Sequence, residues 1–428
     1  MTDSPRKGRL SLVTMTTPLP IVTVATGNYL HYVRALAASL EETNPGTTLF
    51  VCFADRPPRE ATDGNDRFRI IFADELEIPD WKRFSFQYTP FELSCALKPF
   101  ALEAVLSRTK ADGVIFVDSD IQVYSSLEPT ASKLAGANLL ITPHLTAPAT
   151  ADCAVVDHGL VRAGPYNLGF VAMGRSSETT AFLGWWKSKM RHECIMSFVD
   201  HLFVDQSWMT LAPGMFAGVV IERGAGYNVA YYNMSERRVT RDAAGTLLAN
   251  GERLVFFHFS GFEPARPTSL SRHDRKTELD KHPVIRELLA AYLDRLDRSG
   301  RLECENWKSE LEYLSNGTEI EPAWREAIRM DHPLLAGVMD PFDVSATADL
   351  VSKFRRAEAE ARANRGDWLL AELRPRLAAS EARVTELEQT VHRLGEQSAR
   401  LQRIEDHPVF GPLMRFRRHL KKAFGSSS

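Results

Sequence analysis

Asp118 and Asp120 follow the apolar run Val114-Ile115-Phe116-Val117, with Ser119 between them. In a regular strand, residues i and i+2 point to the same side, so both carboxylates can reach one cation. A hard divalent ion held in this way keeps positions free for phosphate oxygens. The plain alternative is an acidic turn at the end of a strand.

Two chemistries share this local picture. Phosphatases of the haloacid dehalogenase type use the first Asp of D-x-D-x-[TV] as a nucleophile, but the fifth position here is Gln122, and no companion set of Lys and paired Asp follows in that order. The other is nucleotide-sugar transfer, in which D-x-D grips a metal-diphosphate. Further polar groups follow in the order Tyr166-Asn167-Leu168-Gly169-Phe170, Asp205-Gln206, Tyr227-Asn228-Val229 and His258-Phe259-Ser260-Gly261. Each also has a structural reading. His258 ends the strand-like Leu254 to Phe257, where a core histidine is the ordinary occupant. Asn167 and Gly169 suit a turn as well as a sugar contact. Asn228 and Tyr231 suit packing as well as an acceptor cleft. Lys98, before Pro99 on a helix read as amphipathic, suits solvent as well as a phosphate. Trp185-Trp186 suits the anchoring of a helix on a sheet.

Taken together and in this order, these segments resemble retaining bacterial glycosyltransferases of the family 8 type, which have the GT-A fold, over about residues 20–265. In that family D-x-D is followed by an N-x-G segment, a D-Q pair and a late His-x-x-Gly. The resemblance implies a metal site of Asp118, Asp120 and His258, and catalytic positions at Asp205 and Gln206. It implies donor contacts from Thr26, Gly27, Asn28, Tyr29, Lys98, Asp118, Ser119, Asn167, Gly169 and Gly261, with Asn228 and Tyr231 on the acceptor side. The implied reaction moves a hexose from a nucleotide diphosphate sugar, a UDP-sugar foremost, to a hydroxyl acceptor, with retention. One imidazole beside two carboxylates favours Mn²⁺, with Mg²⁺ accepted. The rival readings are a metal-dependent phosphatase-type hydrolase on the same Asp pair, and a non-catalytic coiled-coil scaffold carrying a relic transferase domain.

The elements that must position these residues alternate. Ile21–Ala25, Leu49–Phe53, Phe68–Phe72 and Val114–Val117 read as buried strands, and Tyr29–Leu40 and Phe91–Leu106 as helices between them. This rhythm predicts an α/β fold of the GT-A (Rossmann-like) kind with a mixed, mostly parallel sheet. Ligands of such sheets gather at the carboxyl ends of the strands. After Phe262 the pattern turns helical, at Val284–Leu296, Trp307–Leu314 and Ala323–Met330. Leu377, Ser380, Val384, Leu387, Val391, Leu394, Ser398 and Leu401 then fall at alternating steps of three and four, a coiled-coil-like seam with a helix restart expected at Pro375. The expected units are 18–275 (transferase), 276–350 (helical extension), 351–404 (long helix or coiled coil) and 405–428 (basic amphipathic tail).

The chain of 428 residues is 44% hydrophobic and 25% charged, which excludes disorder for most of its length. A net charge of -3 excludes a global basic field for nucleic acid. Five scattered cysteines without C-x-x-C read as reduced thiols and a cytoplasmic protein. The uncharged stretch Leu10–Val33 is too polar and too broken by Pro18 and Pro20 for a spanning helix. Residues 408–424 carry Arg415, Arg417, Arg418, Lys421 and Lys422 with Leu413, Phe416, Leu420 and Phe424 on one face, the composition of an interfacial helix. Expected partners are therefore a nucleotide diphosphate sugar, a saccharide or glycolipid acceptor, a second copy through 377–404, and an anionic membrane surface through 408–424. The expected location is the cytoplasm, peripheral at the inner face of the plasma membrane.

Overall fold

The computed structural model describes residues 18–62, 67–151, 153–155, 157–197, 199–274 and 276–405, with Pro412. The apolar runs form β1 (Ile21–Ala25), β2 (Leu49–Phe53), β3 (Arg69–Phe72), β4 (Gly113–Val117), β5 (Ile121–Val123), β6 (Leu139–Pro143) and β7 (Tyr166–Gly174). A seven-stranded sheet runs in the order Val219–Ile221, β6, β7, β4, β1, β2, β3. Only β7 pairs antiparallel to its neighbours β4 and β6; the remaining pairs are parallel. The sheet is thus mixed and mostly parallel, as the strand–helix rhythm predicts.

Helix α1 (Leu30–Thr43) covers one face, where its Leu30, Val33, Leu36 and Leu40 share a core with β1, β2 and β4. On the other face lie α3 (Pro90–Arg108) and the helix Ser177–Met190, with α2 (Trp81–Phe86) beside them. Trp186 in the Ser177–Met190 helix is fully buried, the anchoring expected of it. A capping box starts α3: the Thr89 hydroxyl accepts from Glu92 N while the Glu92 carboxylate accepts from Thr89 N. Contrary to the amphipathic reading, α3 buries Leu93, Cys95–Pro99, Ala101, Leu102, Val105 and Leu106. The face that carries Lys98 is therefore enclosed, and the solvent-facing side is confined to residues such as Glu103 and Ser107.

The later helices pack onto the same unit. Pro283–Arg298 lies on α1, where Arg295 pairs with Glu42 at 2.8 Å. Arg325, in the helix Pro322–Arg329, donates to the carbonyls of Phe86, Tyr88 and Leu311 at 3.0, 2.5 and 2.7 Å. The helix expected over Trp307–Leu314 is a single turn at Glu310–Glu312. Ser309 caps that turn by accepting from Leu311 N while its hydroxyl donates to Asp55, and Tyr313 is extended, which stops the helix on both sides. The expected restart at Pro375 does not occur: one helix runs from Leu350 to Glu405 through it. Pro375 is exposed, so water can satisfy the carbonyl that its missing N–H leaves free.

Contacts divide the chain into residues 1–355 and 356–428. No helix among the described residues is long and apolar enough to cross a membrane. The basic stretch 408–424 lies outside the described residues, apart from Pro412. None of the five cysteines forms a disulfide, and all five are buried.

Candidate active site

Strand order reverses around β1: β2 and β3 lie to one side of it and β4 to the other. The loops leaving β1 and β4 therefore border one crevice, the ordinary ligand site of an α/β sheet. Past β4, Asp118 N still donates to Gly169 O at 2.8 Å, keeping the first carboxylate at the rim of the sheet. The chain turns over Ser119 and Asp120 into β5, which pairs antiparallel with Phe256–His258 and sets His258 opposite Ile121. Phe259 N then donates to Asp120 O at 2.9 Å. This pairing brings Asp118, Asp120 and His258 together, each offering a ligand atom within 4.8 Å of the others. His258 Nε2 lies 3.1 Å from Asp120 Oδ1 and 3.9 Å from Asp118 Oδ2. The imidazole is enclosed, whereas the Asp118 and Asp120 side chains are 29% and 25% exposed, so the cluster faces outward on its carboxylate side. Two hard oxygen donors and one imidazole fit a divalent cation.

The hydrogen bonds fix which nitrogen of His258 faces that cluster. Gly169 N donates to Asn167 Oδ1 at 3.1 Å, so that oxygen is an acceptor. Its second close contact, His258 Nδ1 at 3.1 Å, must then carry the proton. Neutral His258 is left with its lone pair on Nε2, toward the carboxylates. The orientation of Asn167 is fixed in turn by Nδ2, which donates to Gln206 Oε1 at 3.2 Å, and Gln206 Nε2 reaches Ala163 O at 3.5 Å. Gly169 is required by space: a Cβ there would fall 2.4 Å from His258 Cε1. Burial works against charge on His258, but Asp120 and then Asp118 outweigh it and raise its pKa. Burial likewise lifts Asp118, while His258 offsets burial at Asp120 and holds that carboxyl below its usual range.

Behind this cluster lies Lys98. Its Nζ is 3.2 Å from Asp205 Oδ2, 3.4 Å from Asp118 Oδ1 and 3.0 Å from Leu168 O. Lys98 is 5% exposed and Asp205 1%, so the solvated-lysine reading fails. Burial disfavours the ammonium, yet the two carboxylates raise its pKa above the ordinary value. Asp205 is pushed up by burial, with Lys98 opposing. Lys98, Asp118, Asp120, Asn167, Gly169, Asp205, Gln206 and His258 thus form one connected group.

The first loop joins a residue that sequence reading missed. Gly27 N donates to Asp55 Oδ1 at 2.6 Å, and the other Asp55 oxygen takes the Ser309 hydroxyl. Asp55 is buried, and burial raises its pKa. Its position one residue beyond the buried run Leu49–Ala54 is the same signal that marks Asp118. Thr26 Oγ1 donates to Asn28 Oδ1 at 2.6 Å, and the exposed Tyr29 ring stacks on Tyr32 at 5.0 Å. Ser119 is buried at the tip of the turn. Gly261 has φ +69°, and a Cβ there would meet Ser271 Oγ at 2.6 Å. Asn228 is buried, with its Oδ1 accepting from Tyr232 OH at 2.7 Å, and the Tyr232 ring lies edge-on to His258 at 6.5 Å. The Tyr231 ring lies 5.2 Å from that of Tyr232 and 5.9 Å from that of His273.

No family model matches the chain. Among curated proteins it is 22% identical over 269 residues to the uncharacterized protein YfnF of Bacillus subtilis strain 168, covering 62% of this chain and 88% of that protein. It is 24% identical over 245 residues to YfnD of the same organism, covering 56% and 76%. Among solved structures it is similar to the galactosyltransferase LgtC in complex with donor and acceptor sugar analogs, at 16% identity and a TM-score of 0.38, covering 63% of this chain and 96% of that one. Similarity to the glycosyltransferase GlyE of Streptococcus pneumoniae TIGR4 has the same TM-score, 0.38, at 12% identity, covering 70% and 67%.

Proposed function

We propose that the chain is a metal-dependent glycosyltransferase that moves a hexose from a nucleotide diphosphate sugar, a UDP-sugar foremost, to a hydroxyl acceptor. The observation that carries this reading is the convergence of Asp118, Asp120 and His258 at the carboxyl end of β4, against a buried Lys98–Asp205 pair. In this reading those three residues hold a divalent cation, Mn²⁺ preferred. Bound there, the cation supplies Lewis-acid neutralisation of the departing diphosphate.

The chain's own residues do the rest. Thr26, Gly27, Asn28 and Tyr29 border the nucleoside, with Gly27 held in place by Asp55. Ser119, Gly169 and Gly261 line the donor side, and the fixed amides of Asn167 and Gln206 supply hydrogen bonds beside the transferred sugar. Lys98 balances the charge of Asp118 and Asp205, so that the site closes over fixed charges and needs no reorganisation during transfer. Asp205 is enclosed and ion-paired, a poor position for a base that must meet an incoming hydroxyl. This favours same-face attack, with the leaving phosphate accepting the acceptor's proton, and hence retention. Asn228 and Tyr231 flank the acceptor side, and the basic stretch 408–424 suits an acceptor at a membrane surface, a lipid-linked or cell-surface glycan.

The test is donor hydrolysis across UDP-, GDP- and TDP-sugars with Mn²⁺ or Mg²⁺, alongside Asp120→Ala. Metal-dependent release of one nucleoside diphosphate, lost in the variant, is expected. Release of phosphate from simple esters with no nucleotide-sugar turnover would replace this reading with a hydrolase. Silence in both assays, with no donor binding by calorimetry, would leave a scaffold.

A further inference from the structure

The helix Leu350–Glu405 carries a stripe of exposed large apolar side chains. Val384, Leu387, Val391 and Leu394 are 52%, 51%, 68% and 58% exposed. Their steps of three, four and three are those of a coiled-coil seam, with Leu377, Val384, Val391 and Ser398 at positions a and Ser380, Leu387, Leu394 and Leu401 at d. A helix this polar elsewhere gains little from burial within itself, and such a seam is stabilised by a facing seam.

We propose that residues 377–401 pair with the same segment of a second copy of this chain, parallel and in register, as a two-stranded coiled coil. The flanking charges choose this occupant. Positions g hold Arg376 and Arg383, and positions e hold Glu381 and Glu388. In a parallel pair each g residue faces the e residue five positions further along the other helix, so Arg383 meets Glu388 of the second copy. In an antiparallel pair g faces g and e faces e, setting Arg on Arg and Glu on Glu. Val at two central a positions with Leu at d selects two strands over three or four. In the single chain Arg383 pairs instead with Glu386 of its own helix, an exposed contact that is weak and readily exchanged. The inference stands on this helix alone and is independent of the transferase reading.

Sedimentation equilibrium of the full-length chain tests it. The expected mass is twice the 48.0 kDa chain. Leu387→Asp with Leu394→Asp should return it to the single-chain mass, with the thermal transition of residues 1–355 unchanged. Val384→Cys and Val391→Cys, made separately, should each oxidise to a disulfide-linked dimer, which only a parallel, in-register pair allows; the five native cysteines are buried and give little background. Arg383→Glu and Glu388→Arg should each weaken the dimer, and mixing the two variants should restore it. A monomer at high micromolar concentration, a trimeric mass, a dimer that survives the double Asp variant, or a dimer that cross-links at neither or only one cysteine would overturn the proposal.

Discussion

Nδ1 of His258 donates to Oδ1 of Asn167 across 3.1 Å, and through that bond an amide decides how the imidazole meets two carboxylates. The same oxygen takes the Gly169 N–H, so it has no freedom to act otherwise. A strand (β7), a strand end (His258) and the start of a short helix (Gln206) are thereby tied into one orientation. Asn167 acts on the candidate cation site without being one of its ligands.

Replacing Asn167 by Leu should therefore weaken divalent-cation binding by about 10- to 100-fold, the usual cost of losing such a supporting bond. Titration of the protein with Mn²⁺, followed by paramagnetic resonance or calorimetry, measures this directly. An unchanged affinity would mean that the ring is held by its packing alone.

Gly169→Ala should act through the same ring by a steric route. The new Cβ would fall 2.4 Å from His258 Cε1 and 2.7 Å from Nδ1, with the sheet backbone unable to yield. A loss of about 1–3 kcal/mol is expected in denaturant unfolding, together with weakened Mn²⁺ binding.

Lys98→Met removes the ammonium from between Asp205 and Asp118 and leaves a carboxylate that is 1% exposed without its cation. Breaking one side of a buried pair costs about 3–5 kcal/mol. Urea unfolding of the variant at neutral pH measures it, and a loss below 1 kcal/mol would place Lys98 outside the structural charge balance.

The Asp118–Ser119–Asp120 pair was legible because an apolar run followed by two acids states both the element and the end at which the side chains emerge. His258 was legible only through its order relative to the other motifs, since nothing local separates it from a core histidine. The burial of Lys98 was not legible: its partners come from the turn after β4 and from the segment before Gln206, and a lysine on a helix carries no mark of what meets it across the sheet. Asp55 was passed over although it follows a buried strand, because its partners are a backbone N–H and a serine 254 residues away. The antiparallel course of β7 is equally hidden, since direction depends on a crossover and not on the residues of the strand.

Two buried histidines set an acid limit. Burial, with Arg301 second, pulls His31 down to about 4, and burial pulls His144 down to about 4. Both start from an ordinary value of 6.5, so between 6.5 and about 4 the unfolded chain binds protons that the folded chain does not. Stability from these groups is complete above 6.5 and is lost as pH falls, by about 1.4 kcal/mol per pH unit for each. His144→Asn should flatten the fall in urea midpoint between pH 6.5 and pH 5 relative to the unaltered chain. Parallel slopes for the two would show that His144 takes its proton in the folded state.

Arg325 joins the helical part of residues 276–350 to the sheet-bearing part, and its loss should be felt at a distance. Arg325 is 5% exposed, and its guanidinium donates to three carbonyls, those of Phe86, Tyr88 and Leu311. Burial pulls its pKa down to about 10 against the opposing pull of Glu92 and Glu312, still charged at neutral pH. Arg325→Met preserves much of the volume but strands all three acceptors, each worth about 1–3 kcal/mol when buried and unpaired. Phe86 and Tyr88 lie in the last three residues before Thr89, the cap of α3, and α3 carries Lys98. The expected result is a drop in thermal midpoint accompanied by weaker ordering of α3, read as faster amide exchange at Leu93–Leu97. Arg325→Lys keeps the charge but cannot span three acceptors with one ammonium in the same geometry, so it should recover only part of the loss. Full recovery by Lys would show that charge, and not the planar fork, holds the two parts together.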